Sequence, residues 1–187
     1  MKNYYRVSRN EYNDGDFIFE TEIGVNTLEN IKTYTKALSS AITSNFPEDL
    51  VLLNTLNLPD SENGAGCTSL KEAIFEEIRI KKFSDKPCRF TDSMMVFNDI
   101  QNALKFQKNF RHDGKIYEVT IVNEQDIFTG DMRMLDEKFF SINDLRKNAE
   151  KYWNSNITNK PIIEVIITKM NKPKVVSEVV GAKLKNP

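Results

Sequence analysis

The sequence predicts an α+β domain whose sheet is antiparallel or mixed and is flanked by helices. Three observations predict it. Short runs such as Ile116 to Val122 alternate side chains with the period of two that a strand imposes. Longer runs such as Ser69 to Lys82 repeat apolar residues at helical spacing. Strands and helices do not follow one another in the strict βαβ rhythm of a parallel sheet, and neither a GxGxxG turn, a P-loop nor an internal repeat occurs.

The elements follow in order. Tyr4 to Ser8 reads as a strand, with Tyr5 and Val7 on one face and Tyr4, Arg6 and Ser8 on the other. Asn13-Asp14-Gly15-Asp16 is a turn into the extended piece Phe17-Ile18-Phe19. Thr27 is placed to cap a helix reaching about Phe46, with Leu28, Ile31, Leu38, Ala41 and Ile42 as its apolar stripe. Residues 47–66 are the loosest part and read as an insertion or a lid. Ser69 and Glu72 form a capping-box pattern for a helix that turns Leu70, Ala73, Ile74 and Ile78 inward.

After Pro87, Ser93 to Phe97 reads as a strand, and Asn98 or Asp99 starts a helix with Ile100, Ala103, Leu104 and Phe110 as its apolar set. Gly114 turns into the strand 116–122, with Tyr117, Val119 and Ile121 inward and Glu118 and Thr120 outward. Gly130-Asp131 reads as a turn. Ser141 with Asp144 opens the last helix, with Ile142, Leu145, Ala149 and Tyr152 on one stripe. A strand around Glu164, a turn at Asn171-Lys172-Pro173 and an extended piece from Lys174 to Val180 complete the chain.

At 187 residues, with 40% hydrophobic and 28% charged side chains, the chain is long enough for one domain with a real core. Its 26 basic and 27 acidic residues leave a formal charge of −1, which excludes a global basic field for nucleic acid. From Lys169 to Lys185 there are five lysines and one glutamate, a basic stretch that reads as a solvated end. Cys67 and Cys88 lie far apart and His112 sits in a turn, Arg111-His112-Asp113-Gly114, so a Cys/His zinc site and a His-dependent nucleophile both lack residues. No run approaches the length of a membrane span and no signal-peptide core follows Met1, so a cytoplasmic protein without a membrane partner is expected.

Pro161-Ile162-Ile163-Glu164-Val165-Ile166-Ile167 holds the residue with the most chemical content. Strand alternation puts Ile163, Val165 and Ile167 on one face and sets Glu164 between Ile162 and Ile166 on the other. A carboxylate so flanked loses water, which raises its pKa unless a partner holds the charge. The structural alternative is an edge-strand glutamate that reaches solvent or pairs with a lysine such as Lys169. Glu118 is the direct rival, since it too lies in an apolar strand, between Ile116 and Thr120 on its face.

A set of segments taken in order resembles an uncharacterised bacterial and phage family related to the ADP-ribosyltransferase superfamily. The segments are Tyr4-Tyr5-Arg6-Val7-Ser8, Gly15-Asp16, Phe75-Glu76-Glu77-Ile78-Arg79, Phe83, Pro87-Cys88-Arg89, Met95-Val96-Phe97 and Ile116-Tyr117-Glu118-Val119. Gly130-Asp131-Met132, Glu150-Lys151-Tyr152-Trp153 and Pro161-Ile162-Ile163-Glu164-Val165 continue the series, which skips roughly residues 25–66. In outline it is similar to DNA-modifying toxins of the DarT kind. The resemblance implies a split pair of small antiparallel sheets that grip NAD between them, with NAD consumed as substrate and no metal. Carried over, the first-strand position is Arg6, the middle-strand position is open among Arg89, Ser93 and Phe97, and the late acid is Glu164. Ile162 stands where enzymes that modify arginine place a second acid two residues earlier. This disfavours an arginine acceptor and leaves nucleic acid, another protein side chain or a small molecule.

What the resemblance implies is transfer of ADP-ribose from NAD to a macromolecular acceptor, nucleic acid or protein, in a toxin or phage–host conflict setting with an antitoxin or inhibitor as partner. Cleaving the nicotinamide–ribose bond builds positive charge on the ribose, which a dry carboxylate at Glu164 stabilises. Arg6 and Arg89 offer forks for the pyrophosphate, with Ser8 and Ser93 as polar neighbours, and Phe97 or Tyr117 offers a ring for nicotinamide. Against each stands a structural alternative: a surface ion pair for Arg6, a loop charge for Arg89, core packing for Phe97, Tyr117 and Trp153, and a charged helix face for Glu76, Glu77 and Arg79. Two other functions compete. One is an interaction module that keeps the fold without chemistry. The other is a metal-dependent nucleic-acid-processing enzyme built on Asp131, Asp136 and Glu137.

Overall fold

Residues 2–20, 29, 31–37, 65–136 and 141–183 are described by the computed structural model, and they confirm the α+β class. The strands are β1 (Asn3–Ser8), β2 (Ser93–Phe97), β3 (Lys115–Thr120), β4 (Phe128–Asp131), β5 (Ile163–Thr168) and β6 (Lys174–Glu178). The helices are α1 (Ala65–Lys82), α2 (Ile100–Phe110), the single turn α3 (Arg133–Asp136) and α4 (Ile142–Trp153); residues 31–37 are also helical. All described pairings are antiparallel, in the order β4-β5-β2-β1-β3-β6.

That order joins two three-stranded halves, β4-β5-β2 and β1-β3-β6. Within the halves, β1 pairs with β3 from Asn3↔Thr120 to Ser8↔Lys115, and β2 pairs with β5 from Ser93↔Thr168 to Phe97↔Glu164. Between the halves, β1 and β2 share the single register pair Tyr5↔Phe97. Past it, Arg6 Nη1 donates to the Met95 carbonyl at 2.9 Å, so a side chain bridges the strands where the ladder stops.

Two compact units share the chain. The first consists of residues 1–22, 86–133 and 155–187 and contains the sheet and α2; the second consists of residues 23–85 and 134–154 and contains α1 and α4. In the first unit both sheet faces are buried, which is why β2 is apolar almost throughout and reads without alternation. One face packs Tyr4, Met94, Val96, Tyr117, Val119, Val165 and Ile167. The other packs Val7, Met95, Phe97, Ile116 and Ile162 with Ala103, Leu104 and Phe106 of α2. Asp99 caps α2 by accepting from the Gln101 N–H. Residues 15–18 run beside β6: Gly15 donates to Val175, Val175 to Asp16 and Ile18 to Pro173, at 2.8, 2.9 and 3.1 Å. Gly15 has φ of 87°, a conformation open to glycine at no steric cost.

In the second unit, Leu70 and Ile74 of α1 meet Ile142 and Leu145 of α4. The Trp153 indole donates to the Phe75 carbonyl at 2.8 Å, and the Phe75 and Tyr152 rings meet at a tilt of 57° with centroids 5.4 Å apart. Ser141 caps α4 by accepting from the Asp144 N–H at 3.1 Å. Arg79 forks onto Glu76 within α1 at 2.7 Å, and Arg146 of α4 reaches Glu77 of α1 at 3.3 Å, which ties the two helices together.

Several expectations need correction. The Ser69–Glu72 pair does not open α1: the helix begins at Ala65, and both residues are buried inside it. Because both sheet faces are covered, β3 has no wholly outward side; Ile116 is buried and Glu118 is half-buried. The strand ends at Thr120, leaving Val122 exposed, and Phe110 at the tip of α2 is exposed too. Gly130-Asp131 belongs to strand β4 and not to a turn. In place of a split pair of sheets there is one continuous sheet with a thin seam. The long helix from Thr27 to Phe46 and the loose stretch 47–66 fall largely outside the described residues; Ile31 is buried, and Ala65 and Gly66 are in α1.

Candidate active site

Glu164 lies in the middle of the β4-β5-β2 half. Its register partners are Phe97 on one side and Gly130, which has no side chain, on the other. Directly opposite residues share a face, which groups Glu164 with Phe97 and Tyr5 and, one step along each strand, with Met95, Ile162 and Ile166. The expected Ile162 and Ile166 flanks are in place and buried. Arg89, in the loop before β2, donates through Nη1 to Glu164 Oε1; the side chains are 9% and 1% exposed. The partner is therefore this guanidinium and not Lys169, which faces Asp92 at 3.6 Å on the surface.

Ser93 is on the same face as Phe97 and Glu164, and its hydroxyl donates to the Cys88 carbonyl, closing the loop that carries Arg89. Phe97 is sealed and packs on Phe106 of α2, centroids 5.2 Å apart, so its ring serves the core. Glu118, the rival acid, sits opposite Tyr5 and accepts from the Asn3 carboxamide.

Arg6, Ser8 and Tyr117 are on the other face. Arg6 pairs with Tyr117 in register, one residue out of phase with Tyr5↔Phe97, and alternation alone sends its side chain away from Glu164. The seven residues expected to form one NAD site thus divide into Glu164, Arg89, Ser93 and Phe97 on one face and Arg6, Ser8 and Tyr117 on the opposite one. Tyr117 is sealed, stands edge-on to Tyr12 at 5.5 Å and donates to the Asn10 carbonyl at 3.3 Å. Arg6 is buried and bound to Glu20 at 2.9 Å. Burial lowers the Arg6 guanidinium to about 10, against the opposing pull of Glu20. Burial also pushes Glu20 upward, but hydrogen bonds from Tyr12, Arg6 and Ser8 outweigh it and hold the carboxyl below its usual range.

Sequence reasoning missed Tyr5 as a neighbour of the site. The signal was the face assignment of β1 itself, which already set Tyr5 and Val7 apart from Arg6; the missing information was the register between β1 and β2. Glu20 was missed too, because nothing local marks it as the partner of Arg6. Asp131 accepts from the N–H groups of Arg133, Thr158 and Ile162 and from the Thr158 hydroxyl, at 2.7–3.0 Å, which makes it the clasp of the β4–β5 connection. The side chains of Asp136 and Glu137 lie outside the described residues.

Fold and site together define an α+β protein with a six-stranded antiparallel sheet and a buried pair between Glu164 of the interior strand β5 and Arg89 of the loop before β2. The chain belongs to the family described as "Protein of unknown function (DUF2441)", whose profile matches residues 2–178. No curated protein matches it. Among the described residues no helix is long and apolar enough to cross a membrane.

Proposed function

We propose that the chain is an NAD-dependent ADP-ribosyltransferase that carries ADP-ribose to a macromolecular acceptor, nucleic acid or protein, with Glu164 as its acid. The observation that carries the reading is the Glu164 carboxylate, 1% exposed on the interior strand β5 and bound by Arg89. A buried ion pair adds little to stability that well-packed apolar side chains would not supply, so an acid kept there calls for another purpose.

In the reaction, the bond between ribose C1′ and the nicotinamide nitrogen breaks and its electron pair leaves with nicotinamide. Positive charge builds on the ribose ring, and Glu164 stabilises it more strongly than water-exposed carboxylates do. An acceptor oxygen or nitrogen then bonds to C1′, and its proton passes to solvent as neutral nicotinamide departs. Arg89 holds the acid and offers a guanidinium for a pyrophosphate oxygen. Arg6, Ser8 and Tyr117 leave the site in this reading and support the opposite sheet face. A toxin or phage–host conflict role with an inhibitor protein follows from the resemblance alone.

The test is transfer from labelled NAD to DNA, RNA and protein acceptors. Wild type should label one class, and Glu164→Gln should lower the rate on the order of a hundredfold or more at unchanged melting temperature. Absence of product with wild type, or equal product with the variant, would sink the reading. A second reading, an interaction module without chemistry, is favoured by one observation: Arg89 already neutralises Glu164. Calorimetry that detects no heat of NAD binding would support it.

A further inference from the structure

The sheet face opposite Glu164 carries a polar constellation that the proposed reaction does not use. Glu20 Oε1 accepts from Ser8 Oγ at 2.8 Å, from Asn10 Nδ2 at 2.6 Å and from the Tyr12 hydroxyl. Its Oε2 accepts from Arg6 Nη2 at 2.9 Å and from Ser8 Oγ at 3.0 Å. All four donors come from β1 and the four residues after it, whereas the acceptor arrives from eight to fourteen residues further along the chain.

These donors are held by contacts that do not involve Glu20. Arg6 Nη1 is anchored on the Met95 carbonyl, the Asn10 backbone N–H donates to Ser8 Oγ at 2.9 Å, and Tyr117 supports both the Asn10 carbonyl and the Tyr12 ring. A cradle fixed from behind keeps its shape when its occupant leaves, which is the preorganisation that ligand sites need. Arg6 is sealed at the bottom at 1% exposure, while Glu20 is 15% exposed and so reaches the surface.

We propose that Arg6, Ser8, Asn10 and Tyr12 form a carboxylate-binding site that the chain's own Glu20 occupies, and that the free carboxylate of a ligand takes when Glu20 turns out. The donors converge on two oxygens, with Ser8 Oγ within reach of both, which matches a planar carboxylate; behind them lie the apolar side chains of Tyr4, Met94 and Val96. A tethered occupant acts at an effective concentration on the order of millimolar or above, so a competitor must bring further contacts of its own. The proposal stands apart from the ADP-ribosyl transfer reading and concerns the other face of the sheet.

The experiment is thermal unfolding of Glu20→Ala in sodium formate and in sodium chloride at equal ionic strength. Formate should raise the melting temperature of the variant along a saturating curve and leave wild type unmoved. Adding Tyr12→Phe to Glu20→Ala should weaken formate binding roughly tenfold, the worth of one charge-assisted hydrogen bond. Should Glu20→Ala fail to fold in chloride, its refolding from urea in formate reads the same binding. Equal response to chloride and formate, or no gain in formate, overturns the proposal and leaves Glu20 as the counter-ion of Arg6 alone.

Discussion

Asp131 and Glu164 are both buried, yet different kinds of partner hold them. Asp131 is bound by N–H and hydroxyl donors of its own connection, Glu164 by a guanidinium from a distant loop. Burial pushes Asp131 upward, but the hydrogen bonds from Thr158, Arg133 and Ile162 prevail and hold it below the usual aspartate range. A lowered folded-state pKa means that the charged form stabilises the fold. That contribution is complete above the unfolded aspartate's pKa and disappears as pH falls through the lowered folded value. Asp131→Asn should therefore cost about 1–3 kcal/mol in urea unfolding at neutral pH, with the deficit narrowing as the solution is acidified into that range. A deficit that does not change with pH would show that shape, and not charge, holds the clasp.

Among the elements, α2 and α4 were legible in the sequence because each carries its own punctuation: Asp99 and Ser141 cap where an apolar stripe begins. β2 and β5 were legible from runs too short and too β-branched or apolar for helices. β4 was hidden, since four residues containing a glycine have no period to read and gain their strand character only from β5. The start of α1 was misplaced because Ser69 and Glu72 match a capping box while serving as buried polar residues. Of the candidate site, the desolvation of Glu164 was legible from Ile162 and Ile166, but Arg89 as its partner and the exclusion of Arg6 were not. Both depend on pairings between segments distant in the chain. The turn before β3 makes an element-scale prediction. A Cβ on Gly114 would stand 2.9 Å from Val7 Cγ1 and 3.0 Å from Arg111 Cγ. Val7 is buried against α2 and cannot yield freely, so Gly114→Ala should destabilise by about 1–3 kcal/mol, read from the urea midpoint. A midpoint equal to wild type would show that the turn relaxes.

For the molecule as a whole, the sheet is two antiparallel halves joined at Tyr5↔Phe97 and bridged by Arg6 onto Met95. A ladder with one register pair should open more readily than its neighbours. Native-state amide exchange should find protection lower along the β1–β2 seam than along β1–β3 or β2–β5. Uniform protection across all three would contradict the seam. The same seam lies one strand from Glu164, which links the fold to the proposed chemistry.

Release of free nicotinamide from labelled NAD tests that chemistry most directly, because it reads glycosidic cleavage whatever the acceptor. The account predicts release by wild type and its loss in Glu164→Gln, with both proteins unfolding at the same temperature. Release that is absent in wild type, or undiminished in the variant, contradicts it.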